Sequence, residues 1–217
     1  MNDSLAETGL KFFGTVSASI SHEIKNRMAV VNEQAGLLKD LVKIAEQGGE
    51  VPLERLLRLA ESLKTQVDLT DGIIKNMNRF AHSVDSFQCE SDLCEVLELT
   101  ARLAGRIAEN RGVRIELQIG ESSPRIVTAP FLLMNLIWLC LEATIPFADM
   151  ESPVVMGCEK SKGGADIWFK VNRWPETGGP ALPEKVGPLR NMLNAGVALY
   201  PDEKKLSIEL QQKPGTE

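Results

Sequence analysis

From Leu56 to Val84, apolar or small residues return at alternating intervals of four and three: Leu56, Ala60, Leu63, Val67, Thr70, Ile74, Met77, Ala81 and Val84. That spacing is a coiled-coil seam, since side chains so placed line one stripe of a helix and the stripe must be covered. A second stripe precedes it, through Phe13, Val16, Ile20, Ile24, Met28, Val31, Ala35, Leu38, Val42 and Ala45. Between them stands Gln47-Gly48-Gly49-Glu50-Val51-Pro52, where glycines suit a helix C-terminus and proline the first turn of the next helix. An antiparallel helical hairpin is expected. Arms of about 33 residues would reach roughly 50 Å at about 1.5 Å per residue. One hairpin cannot shield stripes of that length, so a homodimer forming a four-helix bundle is expected.

Beyond the polar joint Ser86-Phe87-Gln88 the pattern changes. Ser91 or Asp92 can cap a helix through Leu93, Val96, Leu97, Leu103 and Ile107, and Val113 to Ile119 reads as a strand. A short strand near Arg125 to Thr128 and an apolar helix from Phe131 to about Phe147 follow. Strands near Val154 to Glu159 and Ala165 to Val171, a loop-rich stretch, a small helix near Val186 to Asn194, and strands Val197 to Tyr200 and Leu206 to Leu210 complete the pattern. The reading is an α+β chain: residues 1–87 as a dimerising hairpin and residues 88–217 as an α/β sandwich.

With 43% hydrophobic and 25% charged residues among 217, the chain can bury a core. Its net charge of −6 argues against a sequence-independent nucleic-acid binder, which needs clustered Lys and Arg. Cys89, Cys94, Cys140 and Cys158 form no CxxC pair and are expected reduced and packed. The N-terminal residues lack a signal-like apolar core, and the run from Phe131 to Phe147 is interrupted by Asn135, Glu142 and Pro146. A cytoplasmic location, no membrane partner and no upstream sensor segment are expected.

The chemistry-bearing stretch is Ser21-His22-Glu23-Ile24-Lys25-Asn26. At about 100° per residue, His22 lies about 200° from both Ile20 and Ile24, so it points away from the apolar stripe. An exposed imidazole is largely neutral at pH 7, and one ring nitrogen can act as a nucleophile while the other is hydrogen-bonded. Glu23 is the candidate acceptor for that second nitrogen, depending on rotamer. Asn26, one turn on, shares the face of His22 and can orient a water or a phosphoryl oxygen. Folding the hairpin about Gly48 and Gly49 sets His22 level with about Lys75, which makes Lys75, Asn78 and Arg79 candidate neighbours, with Lys25 and Ala29 completing a partner-facing surface.

This hexapeptide resembles the H-box of sensor histidine kinases, and the order of the later elements is similar to the kinase ATP-binding domain, so the likeness covers nearly the whole chain. The resemblance implies that His22 is a phospho-acceptor, that Glu23 assists proton movement and that Asn26 supports dephosphorylation of a partner. The family usually places proline after the Asn, and here Arg27 stands there. In Asn135-Leu136-Ile137-Trp138-Leu139-Cys140-Leu141-Glu142-Ala143 the family's magnesium-holding asparagine is replaced by Leu139. The Asp-x-Gly-x-Gly box expected after Val171 reads Asn172-Arg173-Trp174-Pro175-Glu176-Thr177-Gly178-Gly179, and the phosphate loop retains only Gly196 in Asn194-Ala195-Gly196-Val197-Ala198. ATP binding is therefore not expected. The pattern resembles the histidine phosphotransferases of phosphorelays, which implies response-regulator receiver domains as partners, no cofactor on this chain, and Mg2+ supplied by the receiver. A receiver phosphatase or a non-catalytic receiver-binding scaffold is the alternative. His82 lacks such company and reads as a solvated residue, while Trp138 reads as core.

Overall fold

The computed structural model describes residues 2–120, 123–176 and 178–212. Its contacts divide the chain into two compact units, Ser17–Arg79 and the combination of Met1–Val16 with Phe80–Glu217. Helix α1 spans Asn2–Glu46 and helix α2 spans Leu53–His82. The α1 terminus is closed by Gly48 in the left-handed region at φ 81°, with the Gly49 amide donating to the Ile44 carbonyl at 2.9 Å.

Within the Ser17–Arg79 unit, the covered face of α2 runs through Leu56, Leu59, Leu63, Gln66, Thr70, Ile73 and Met77. This is a heptad seam displaced from the expected one. Leu56, Leu63, Thr70 and Met77 belong to both, whereas Val67 is 58% and Ile74 43% exposed. On α1, Ile20 and Leu41 are buried and Val30, Val31 and Gln34 are half-buried. Each arm thus carries two apolar stripes: one turned to its hairpin mate, and one of Met28, Leu38 and Val42 on α1 and Leu53, Leu57, Val67 and Ile74 on α2 that is exposed in the single chain.

The second unit is an α/β sandwich entered through the two ends of the hairpin helices. Phe12 and Phe80 meet edge to face at 5.4 Å, and Phe12 lies 5.7 Å from Phe131 and 6.0 Å from Trp138 between ring centroids. Such an aromatic cluster buries large rings in geometries their quadrupoles favour. Phe80 lies off the stripe expected from the sequence but continues the covered one, three residues after Met77, and its ring is buried in this cluster.

Strand β1 (Cys89–Asp92) pairs antiparallel with β3 (Arg125–Thr128), forming a two-stranded ribbon. The sequence Cys-Glu-Ser-Asp has no strand pattern of its own, and pairing with β3 is what makes it a strand. Helix α3 (Leu93–Glu109) starts on Asp92, whose carboxylate accepts the Glu95 amide at 3.1 Å and a short bond from Ser123. That hydroxyl, with the Glu95 and Cys94 amides, holds the Asp92 carboxyl below its usual range.

The main sheet has the order β2-β4-β5-β7-β6, from β2 (Ile115–Ile119), β4 (Val154–Ser161), β5 (Gly164–Lys170), β6 (Ala195–Tyr200) and β7 (Lys205–Gln211). Only β2 and β4 run parallel. The β2 strand begins two residues later than its apolar pattern suggests, because the Val113 amide closes the end of α3 by donating to Ala108. Helix α4 (Pro130–Thr144) packs with α3 in the core, and α5 (Val186–Leu193) follows the loop region. Val154, Met156, Ile167, Phe169, Leu206 and Ile208 are essentially dry on the inner face. Gly157 is required by a close approach: a Cβ there would sit 2.5 Å from the Trp168 ring that crosses it.

Among the described residues one window, Pro130–Phe147, is long and apolar enough to cross a bilayer by composition. Here it is the core helix of the sandwich, with Leu133, Leu136, Ile137 and Leu141 fully buried.

Candidate functional site

Helix α1 runs unbroken through the His22 segment, so residues 22, 25, 26 and 29 share one side of it. His22, Lys25, Asn26 and Ala29 are all exposed. The imidazole has no hydrogen-bonded partner among the described residues. Glu23 is turned elsewhere: only 26% exposed, its carboxylate faces the Arg27 guanidinium at 3.8 Å. Arg27 in turn donates to the Gln66 side-chain oxygen of α2 at 3.4 Å. Glu23, Arg27 and Gln66 therefore form a polar layer in the seam. Arg27 can bridge because arginine carries several donors in a planar fork.

This layer also fixes the hairpin register. His22 stands five residues before Arg27, and the residue five beyond Gln66 is Asp71. The imidazole is thus level with about Asp71, one turn short of the Lys75 that symmetric folding about Gly48 and Gly49 suggests. The difference has a physical cause. Residues 49–52 form no helix, and an extended residue covers about 3.3 Å where a helical one rises about 1.5 Å. The returning chain has therefore moved further down α1 than residue counting allows.

On α2, Lys75, Asn78 and Arg79 are exposed. The Lys75 ammonium is held by the Asp71 carboxylate at 2.7 Å, and this bond raises the lysine pKa. Sequence reasoning misses Asp71, although its place four residues before Lys75 is the spacing at which helical ion pairs form.

In the second unit, Leu139 is buried on α4, 7% exposed. Asn135, one turn earlier, is fully buried, and neither its amide nitrogen nor its amide oxygen has a partner among the described residues. The stretch after β5 is loop, with Arg173 donating to the Asp149 carboxylate at 3.1 Å and to the Ala148 carbonyl at 3.3 Å. Thr177 lies outside the described residues. Asn194 closes α5 in the left-handed region at φ 51°. His82, exposed at the end of α2, has its Nδ1 2.8 Å from an Asp85 carboxylate oxygen.

No protein-family model matches the sequence, and no curated protein matches it. Solved structures are similar at low identity. A histidine kinase AdeS from Acinetobacter baumannii is 11% identical, with 88% of this chain and 98% of that one covered at a TM-score of 0.48. The cytoplasmic segment of the histidine kinase QseC is 16% identical, covering 75% and 97% at 0.45. A structure described as a bacterial phosphotransferase is 11% identical, covering 92% and 95% at 0.45.

Proposed function

We propose that this chain is a cytoplasmic, homodimeric histidine phosphotransferase that passes phosphoryl groups between receiver aspartates through His22, without ATP. The observation that carries the reading is the exposed imidazole of His22, without a hydrogen-bonded partner among the described residues, with Asn26 on the same face of an unbroken helix. An in-line approach by a receiver needs that access. One ring nitrogen attacks the phosphorus of an aspartyl phosphate, the bond from phosphorus to the carboxylate oxygen breaks, and the free carboxylate departs. Return of the group to a second receiver reverses these changes. Phosphoryl transfer depends mostly on positioning and charge stabilisation, so the receiver can bring the magnesium ion while this chain brings an aligned imidazole.

Asn26 would orient a phosphoryl oxygen, and Lys25, Ala29, Lys75, Asn78 and Arg79 would meet the receiver surface. Glu23, committed to Arg27, suits a role in holding the helix rather than in moving the imidazole proton. The residues of the second unit do not suit a magnesium nucleotide: Leu139 offers no oxygen to a cation that takes oxygen ligands, and burial encloses it. The homodimer reading draws on the second apolar stripe of each arm, since a helix in a four-helix bundle is covered by two neighbours and the hairpin supplies one.

The test mixes the full chain, without nucleotide, with receivers labelled at aspartate. Acid-labile label on wild type that His22→Ala lacks supports the relay. Label released to water, with no trapped phosphohistidine, would make the protein a receiver phosphatase, and neither transfer nor release would leave a scaffold.

A further inference from the structure

The core of the α/β unit holds two thiols in contact. Cys94, in the first turn of α3, and Cys158, on β4, lie with their sulfurs 3.2 Å apart across a sequence separation of 64 residues. Both are buried, at 7% and 5% exposure. Neither position follows from a sequence motif, because the tertiary fold alone brings α3 against β4. The proposed relay uses neither residue.

We propose that Cys94 and Cys158 form an oxidisable dithiol, a modification site that a small peroxide closes to a disulfide tying α3 to β4. The two sulfurs are already in contact, so closure needs only a small approach toward the about 2.05 Å of a disulfide. Position distinguishes their roles. Cys94 sits in the first turn of a 17-residue helix, where its amide donates to the Ser123 hydroxyl at 3.4 Å. The Cys158 thiol, by contrast, is pushed up by burial and then by its hydrogen bond with Cys94.

The Cys94 thiolate attacks the peroxide, whose O–O bond breaks to give a sulfenic acid and hydroxide. The Cys158 sulfur then attacks the Cys94 sulfur, the S–O bond breaks, and water leaves with the thiol proton. Two thiols and one hydrogen peroxide become one disulfide and two waters, with the peroxide reduced. Cys140, whose thiol burial pushes up to about 12, has no hydrogen-bonded partner among the described residues. Cys89 has its sulfur 3.5 Å from the Ser91 hydroxyl.

The test treats the full-length wild type with hydrogen peroxide, blocks free thiols, and maps peptides without reduction. The expected result is a peptide joining Cys94 to Cys158 and a loss of about 2 Da in the intact mass. The denatured protein should then titrate two free thiols instead of four, and Tm should rise by several degrees, reversed by dithiothreitol. Cys158→Ala should remove both the cross-link and the Tm shift. A cross-link to Cys89, oxidation to sulfinic acid without a link, or no reaction in folded wild type each overturns the proposal. The mapping is read on wild type, so it decides the matter even where the variant folds poorly.

Discussion

The two units bury their apolar residues in different ways. In the α/β unit the inner face of the sheet and helix α4 are dry, with Phe169, Ile167, Leu136 and Ile137 all fully buried. In the hairpin unit, Val67, Ile74, Leu57 and Val42 stay open to water. A sheet with helices on one face encloses its own core, while two helices enclose only the seam between them. The same kinds of residue are therefore enclosed in one unit and left at the surface of the single chain in the other.

The sharpest way to break this contrast is a cavity in the sandwich. Phe169→Ala should cost about 3–5 kcal/mol, by lost transfer energy and an unfilled cavity. Urea unfolding followed by Trp fluorescence reads it, and a cost below about 1 kcal/mol would mean the sheet core is loosely packed. Next in size, Val67→Glu combined with Ile74→Glu should weaken self-association about 100-fold or more, because charges would be enclosed without partners. Sedimentation equilibrium should show the mass falling to that of one chain while the sandwich unfolds at an unchanged urea concentration. An unaltered mass, dimeric or monomeric, would remove the exposed stripe as an interface.

A smaller and opposite effect is expected at Asn135→Leu. The two side chains share the same heavy-atom branching, and the buried amide lacks partners among the described residues, so the change should gain about 1–2 kcal/mol. Loss of stability there would indicate an ordered water on that amide. The smallest effect belongs to Asp92→Ala, about 1 kcal/mol from the cap of α3. The folded Asp92 carboxyl titrates below its usual value. Its contribution is therefore present above the unfolded pKa and is lost as pH falls through the folded one. Wild type and Asp92→Ala should converge as pH falls through the lowered folded pKa, and Asp92→Asn, a cap that does not titrate, should lose only the acid limb.

How far each unit could be read in advance follows from how local its forces are. The hairpin is written in period: stripes of threes and fours, a glycine pair and a proline. The outward angle of His22 is arithmetic on the same helix. Which stripe faces the mate was less legible, because α2 offers two interleaved seams that share Leu56, Leu63, Thr70 and Met77. The choice between them shows only in which residues the fold covers. The register was hidden for a related reason: the non-helical residues 49–52 advance the chain differently from helical ones, which residue counting ignores.

By itself, the sequence determined a long hairpin, an α/β domain after it, an exposed histidine with an asparagine one turn on, and an aliphatic Leu139 where the resemblance expects a metal ligand. These follow from helical period, turn residues and side-chain chemistry, all readable within a few neighbours. Only the tertiary structure decided that Glu23 serves Arg27, that Asp71 stands level with His22, that Cys-Glu-Ser-Asp becomes a strand, and that Cys94 meets Cys158. Each of those depends on a partner distant in the chain, and no local pattern encodes which distant group a side chain will meet.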